Sequence, residues 1–293
     1  MRILKKTLSM IAAFLILVML TACNQTAKTE NEPSDGNNTQ EAETNEKNKE
    51  LTLQQVLKKT IEASESLNSF SVKMNMDQQL NAGQQSDQMN LKSVINMDVT
   101  TKPMAFYQKM NMTMEGSEES FDTESYFTEE GMYFYDAAGG KWMKFPKEMS
   151  DQLVQLSGEQ SNPAVGLKKL QENVEDLKFE QDGEHYMIKL KASGDKFNDF
   201  IKKTVQETLP PQLAENEGAL ENMKINAIEY EFQIDKKTFY PTILNMMMDM
   251  EISAEGQTIK MLQNLKGEYS DYNTINKISV PQDVIENAVE IEM

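Results

Sequence analysis

Two hydrophobic periods run along the chain, and the first of them predicts a helix near residue 50. Apolar side chains recur there every three or four positions, which places them on one side of a helix: Leu51, Leu53, Val56, Leu57, Ile61 and Leu67. Thr52 lies three residues before Gln55, the spacing of a capping box, in which each side chain bonds the other residue's backbone N–H. We therefore expect a helix that begins at about Leu53.

From Phe70 onwards the period falls to two, which is typical of strands buried on one face. The longest alternating runs lie at 70–80, 89–99, 104–114, 225–235, 241–254 and 257–272. Shorter strands are predicted at 121–129, 132–137 and 141–145, the last two joined by a turn at Gly139-Gly140. A further hairpin turns at Asp182-Gly183, with Tyr186, Ile188 and Leu190 facing inward.

The middle of the chain returns to helical spacing. Helices are predicted at 149–156, from Asn162-Pro163 to about residue 177, and at 197–205 before Pro210-Pro211; a short one after Pro281 runs through Val284, Ile285, Ala288 and Val289. Long strands at both ends with helices between them predict one α+β domain over residues 51–293. Its large antiparallel sheet would have one apolar face, covered by the helices.

The first 50 residues have a different character. Arg2, Lys5 and Lys6 precede an apolar run over 10–20 that is short for a bilayer span, and Leu20-Thr21-Ala22-Cys23 matches a bacterial lipobox. Residues 1–22 are thus predicted to be a lipoprotein signal peptide, and Cys23 the lipidated anchor; the alternative is an uncleaved membrane anchor. Residues 24–50 contain no Leu, Ile, Val, Met or aromatic residue, so 23–50 is interpreted as a disordered tether.

Charge and residue counts exclude several classes of function. With 47 acidic and 29 basic residues the net charge is −18, which opposes binding to nucleic acid. Cys23 is the only cysteine, so no disulfide can form within the chain, and His185 is the only histidine, which excludes a multi-histidine zinc site. The sequence contains no nucleophile elbow or phosphate-binding loop, and we expect a non-enzymatic protein without a cofactor.

Methionine is the unusual residue, with 22 in the chain. Most strand methionines alternate with polar residues: Met74, Met76, Met110, Met112, Met114, Met246, Met248 and Met250. Three interpretations stay open. Thioether sulfurs bind Cu(I), unbranched side chains can line an adaptable ligand cavity, and methionine can simply fill a core. In the second interpretation Phe197 and Phe200 belong to a helix that covers the cavity.

Two hairpins carry a family resemblance. The first is a strand from Glu229, the turn Asp235-Lys236-Lys237-Thr238, and a long strand that begins at Pro241; the second is Tyr133-Phe134-Tyr135 followed by Gly140-Lys141-Trp142. They are similar to hairpins of the lipoprotein-carrier superfamily, which includes mycobacterial lipid-binding lipoproteins, and of Gram-positive surface lipoproteins. The resemblance implies a curved half-barrel sheet around helices, an apolar cavity for acyl chains, and no shared catalytic motif.

Together these observations predict a lipoprotein on the extracytoplasmic face of the cell membrane, which binds a lipid or other hydrophobic molecule and carries or senses it. The alternative is an envelope interaction module whose core is filled by its own helices and whose partner the sequence does not identify. Cu(I) binding through methionine is a lesser alternative.

Overall fold

The computed structural model describes residues 50–81, 88–117, 120–146, 177–195, 197–199, 223–254 and 257–291. The first helix and six strands are α1 Leu53–Glu65, β1 Ser69–Asn81, β2 Gln88–Thr101, β3 Met104–Met114, β4 Ser120–Thr128, β5 Gly131–Asp136 and β6 Lys141–Lys144. The second part comprises β7 Leu177–Gln181, β8 His185–Ala192, β9 Met223–Asp235, β10 Pro241–Ala254, β11 Gln257–Ser270, α2 Gln282–Asn287 and β12 Val289–Glu290.

The described strands form one open sheet in the order β12-β6-β5-β4-β3-β2-β1-β11-β10-β9-β8-β7. Neighbours are antiparallel except β6 and β12, which run parallel. Strands β1 to β6 and β7 to β11 each follow sequence order, and β1 pairs with β11 to join the two groups. Strand β12 instead crosses to the outer side of β6. The predicted large antiparallel sheet is confirmed, with strand bounds within one or two residues of those expected.

The local motifs that the sequence predicted are present at the helix and at two turns. Thr52 Oγ1 accepts from the backbone N–H of Gln55 at 3.3 Å, and the Thr52 N–H donates to Gln55 Oε1 at 2.9 Å, which completes the capping box of α1. Asp182 accepts two backbone N–H groups in the β7–β8 turn. Asp235 accepts from both the backbone and the hydroxyl of Thr238, which explains the Asp-x-x-Thr spacing.

Each face of the sheet packs against one described helix. Val56 and Leu57 of α1 are buried against Ile188 of β8 and against Phe232 and Ile234 of β9. Because α2 packs on Tyr133 of the other face, it does not cover the apolar face that the helices were expected to share.

The predicted terminal helix is wrong at its end. It stops at Asn287, and Val289 is 46% exposed in β12, opposite Met143 of β6. The helix predicted at 149–156, residues 162–176 of the next predicted helix, most of the helix predicted at 197–205, and the whole segment 1–49 lie outside the described residues. Leu177, expected at the end of the second of these helices, is instead the first residue of β7, where it pairs with Leu190. None of the described helices is long and apolar enough to cross a membrane.

Candidate ligand-binding face

The strand register places the eight candidate methionines on one face of the sheet, which we call the methionine face. One row across it runs Met112, Ser93, Met76, Leu265 and Met246, from β3 to β10. The neighbouring rows bring in the other candidates through the same pairings: Met74 with Met110, Met114 with Met248, and Met250 with Met261. Cross-strand neighbours on one face lie close together, so the methionines belong to one surface that they share with the residues between them, among them Ser93, Ile95 and Leu265.

These methionines differ in how far they are covered. Met76, Met248 and Met250 are buried, whereas the remaining five are half-buried: Met74, Met110, Met112, Met114 and Met246. A central strip consists of Met74, Met76, Ile95, Met110, Leu244, Met246 and Leu265. It lies between the part of the face covered by α1 and a second cluster at the far ends of β9, β10 and β11. Within this strip Met74, Met110, Leu244 and Met246 are half-buried, whereas Met76, Ile95 and Leu265 are buried. Flexible, polarisable side chains thus supply most of its less covered positions.

The segment after β8 closes that far end. A helical turn begins at Asp195, and Phe197, 4% exposed, packs among Met223, Ile225, Met250 and other members of the far cluster. Asn198 fixes the turn, because its amide donates to the Ile225 carbonyl at 2.9 Å while its Oδ1 accepts the Ile225 N–H at 2.5 Å. Phe197 is thus part of the core at this point, and Phe200 lies outside the described residues.

Charge is absent from the methionine face over nine strands. In β1 to β4 and β7 to β11, every Asp, Glu, Lys and His of the strands points to the opposite face, the charged face. Ion pairs connect neighbouring strands there: Lys109–Glu124, Lys189–Glu180, Lys191–Glu229 and Lys260–Glu251. The methionine face therefore offers an apolar ligand an uncharged surface.

A buried polar pair interrupts the methionine face, and the sequence analysis missed it. Gln78 of β1 and Gln263 of β11 are opposite each other, and Gln78 Nε2 donates to Gln263 Oε1 at 3.0 Å. They are 3% and 1% exposed. The sequence did indicate on which face Gln78 lies, because Gln78 is two residues from both Met76 and Leu80, which are apolar positions of the same strand. Only the structure could show that two glutamines 185 positions apart meet.

In β1 to β4 and β7 to β11, the acidic groups, the lysines and His185 lie away from the methionine face. His185 is half-buried at the β7–β8 turn, where its Nδ1 lies 3.6 Å from Asp182 Oδ1. Hydrogen bonds from the backbone N–H groups of Glu184 and His185 hold the pKa of Asp182 below its ordinary value. Among the described residues, no three His, Cys, Asp or Glu side chains are grouped so as to hold a metal ion.

Comparison with known proteins places the chain in a family. The profile of a family of unknown function, DUF6612, matches residues 52–289, which is most of the chain. The protein belongs to this family. No curated protein matches it.

Three solved structures are similar over much of the chain. LprF from Mycobacterium bovis is 14% identical with a TM-score of 0.38, and the match covers 78% of this chain and 96% of LprF. A DUF1329 family protein from Desulfovibrio piger is 7% identical (TM-score 0.26; 77% and 95% covered), and a DUF1849 protein from Brucella abortus 6% identical (0.22; 70% and 100%). The predicted resemblance to mycobacterial lipoproteins is thus confirmed as a likeness of structure. At these TM-scores the likenesses bear on neither ligand nor activity.

Proposed function

We propose that this protein is a lipoprotein, held at the extracytoplasmic face of the cell membrane by lipid on Cys23. We further propose that it binds a lipid or other hydrophobic ligand on the methionine face, to carry or to sense it, without catalysis. One observation carries the proposal: the uncharged sheet face built by nine strands includes five methionines that are only half-buried, Met74, Met110, Met112, Met114 and Met246. Each methylene of an acyl chain buried there would contribute about 0.8 kcal/mol.

The alternative function is an envelope interaction module with a filled core. The packing of Phe197 favours it, since this side chain already occupies one end of the methionine face. In that case the half-buried methionines would be ordinary core positions, and recognition of a partner would fall to another surface. The two functions differ in one measurable property, the presence of lipid bound to the purified protein.

The test is native mass spectrometry of the full-length protein, purified in mild detergent from its host membrane. We expect about one lipid per chain. Met112→Lys puts a charge on the half-buried edge of the methionine face and should lower the occupancy severalfold. Asn111→Lys is the matched control, because residue 111 faces Asp122 on the charged face, and its occupancy should equal that of the wild type.

Three other results would contradict the proposed function or move the ligand site. A folded wild-type protein without lipid in any preparation supports the interaction module and contradicts the ligand-binding proposal. Equal lipid occupancy in Met112→Lys and Asn111→Lys would place the ligand elsewhere. Sub-micromolar binding of Cu(I) by the same sample, lost when strand methionines are replaced by leucine, would favour the copper alternative.

A further inference from the structure

We propose that Met112 and Met114 of β3 are sites of reversible oxidation to methionine sulfoxide, and that their oxidation by a hydroperoxide lowers the affinity of the methionine face for its ligand. This inference rests on the proposed function and adds its regulation. Its starting point is the position of the two residues, on the side of the methionine face that β3 and β4 form. Both are half-buried, and Met112 lies opposite Phe121 of β4, which is 42% exposed.

Exposure changes along single rows of the methionine face. The row of Met112 contains Met76, which is 6% exposed, and the row of Met114 contains Met248, which is 4% exposed. Strand β4 begins opposite Thr113, so Met114 lies beyond the end of that strand. Because an oxidant must contact the sulfur, the same thioether should react faster at the β3 position of each row than at the buried position.

Methionine is also the main oxidisable sulfur of this chain. Cysteine thiolates usually react first with an oxidant, but Cys23 is the only cysteine, and in the proposed anchor its sulfur carries lipid. All other sulfur atoms belong to the 22 methionines. A hydroperoxide that reaches this protein therefore meets thioethers.

The reaction balances with the hydroperoxide as the only co-reactant. A lone pair of the thioether sulfur attacks one peroxide oxygen, so that an S–O bond forms while the O–O bond breaks. The sulfur loses two electrons, and the departing oxygen takes the proton of the attacked oxygen and leaves as water when the oxidant is hydrogen peroxide. Methionine sulfoxide reductases reverse the step: the sulfoxide oxygen leaves as water while two thiols become a disulfide.

The product changes the character of the surface on which a ligand would lie. A sulfoxide is polar, whereas the cross-strand neighbours of the two residues are apolar, Phe121 beside Met112 and Leu91 beside Met114. A ligand in exchange leaves the sulfurs uncovered for part of the time, and after oxidation its acyl chain returns to polar groups that it cannot bond. Met247 offers the contrast, because it is half-buried on the charged face, where a sulfoxide leaves the methionine face unchanged.

The first experiment treats the full-length protein in mild detergent with dilute hydrogen peroxide and follows each methionine by peptide mass spectrometry. We expect Met112 and Met114 to be oxidised at least about fivefold faster than Met76 and Met248, and urea should abolish the difference by exposing all four. Methionine sulfoxide reductases with dithiothreitol should then return both β3 residues to the reduced state. Equal rates at the two members of each row in the folded protein overturn the inference.

The second experiment measures bound lipid by native mass spectrometry before and after peroxide, and compares each protein with itself before treatment. Bound lipid should fall at least about threefold in the wild type and less than about 1.5-fold in Met112→Leu/Met114→Leu, which has no sulfur at these positions. Met247→Leu is the matched control and should lose lipid as the wild type does. Where the double variant does not fold, Met114→Leu serves and should lose less lipid than the wild type.

The results separate this inference from the proposed function. A folded double variant that loses as much lipid as the wild type, or a wild type that keeps its lipid after Met112 and Met114 are oxidised, overturns the inference alone. A wild type that holds no lipid before peroxide contradicts the proposed function, and with it the control of ligand binding, whatever the peptide map shows.

Discussion

At the scale of single residues, the strand register places neighbouring methionines on opposite faces of the sheet. Met248 is buried on the methionine face, whereas Met247 lies on the charged face between Glu229 and Asn264. The same change of chemistry should therefore have different costs at adjacent positions, because only one of them takes the new group out of water.

The first prediction uses this pair. Met248→Asp should lower the free energy of unfolding by about 3 kcal/mol or more, since an unpaired carboxylate is then buried. Met247→Asp is the control and should cost less than about 1 kcal/mol. Urea denaturation followed by circular dichroism measures both. Similar losses in the two variants would mean that the register of β10 is wrong.

The second residue-scale prediction concerns Tyr107 on the charged face. Burial, together with the hydrogen bond from its hydroxyl to Glu124 Oε2 at 3.0 Å, raises the pKa of Tyr107 to about 12. The unfolded chain releases this proton near its ordinary pKa of 10.0. Any stability from the neutral hydroxyl is thus complete below about pH 10 and lost as the pH rises to about 12.

Tyr107→Phe should remove this part of the pH dependence. Denaturation midpoints measured from pH 9 to pH 12 should fall less steeply in the variant than in the wild type. The other tyrosines titrate in both proteins and cancel in the comparison. Parallel curves for the two proteins would contradict the assigned pKa of Tyr107.

At the scale of elements, helix α1 contains both polar groups that form hydrogen bonds and polar groups that do not form them with the described residues. Thr52 and Gln55 satisfy each other's backbone groups at its start. Thr60 and Ser64, one turn apart on its buried side, have hydroxyl groups without a partner in the described structure. The first pair stabilises the helix, whereas the second pair adds buried polarity with no gain that the structure reveals.

The third prediction contrasts these sites. Thr52→Ala should lower the free energy of unfolding by about 1 kcal/mol, through loss of the cap. Thr60→Val keeps the shape and removes the unpaired hydroxyl, so stability should be unchanged or rise by up to about 1 kcal/mol. Thermal melts of both variants test the pair. A large loss in Thr60→Val would show that its hydroxyl has a partner.

Elements were also where sequence reasoning was most accurate, for a physical reason. Apolar and polar residues must alternate along a strand with one buried face, and apolar residues must recur every three or four positions along α1. Both patterns can be seen in a short stretch of sequence. Val289 shows the limit, because its spacing from Ile285 suits a helix while its backbone pairs with Met143 of β6. Met143 precedes Val289 by about 150 residues in the sequence, so the local pattern around Val289 cannot predict this pairing.

The site was predictable only in part for a similar reason. Alternation assigned the strand methionines to apolar positions, and the register then placed all eight on one face. Gln78 and Gln263 occupy the same phase, yet nothing in either strand indicates that they pair across β1 and β11. Phe197 was expected in a movable cover, and the clamp that Asn198 makes on Ile225 has no sequence signature.

At the scale of the whole molecule, the described residues form packed apolar clusters on both faces of the sheet, and the sheet separates the cluster on the charged face from the others. On the charged face, Val280 and Val284 of the C-terminal segment pack on Tyr133, close to Trp142. Trp142 is the only tryptophan of the chain and lies against Tyr126 and Tyr135, with ring centroids 5.7 and 5.6 Å away. Its fluorescence therefore reports on the cluster of the charged face alone.

The fourth prediction follows from that isolation. Val284→Asp should detach the C-terminal segment, because it buries a charge against Tyr133, and Trp142 emission should shift to longer wavelength with stronger quenching by acrylamide. Val289→Asp, at an exposed position, should leave emission unchanged. An unshifted spectrum in Val284→Asp would mean that α2 does not shield Trp142.

The fifth prediction concerns attachment of the molecule to the membrane. Cys23→Ser removes the only thiol, so a metabolically supplied fatty-acid analogue should label the wild type and not the variant. The variant should also be shed or remain uncleaved, because signal removal follows lipidation at a lipobox. Label that persists on Cys23→Ser would refute the lipidation of Cys23.

The parallel pairing of β12 with β6 affects how one copy of the protein can pair with another through the sheet edge. A sheet edge exposes unpaired N–H and C=O groups to which a strand of another copy can add, and proteins concentrated on a membrane surface meet one another often. Val289 and Glu290 occupy the outer side of β6, and the N–H of Ile291 bonds the Lys144 carbonyl at 3.0 Å. Residues 289–291 thus cover part of the β6 edge, and the strand that replaces it as the outer one is only two residues long and carries a charged side chain, which offers another copy little backbone to pair with.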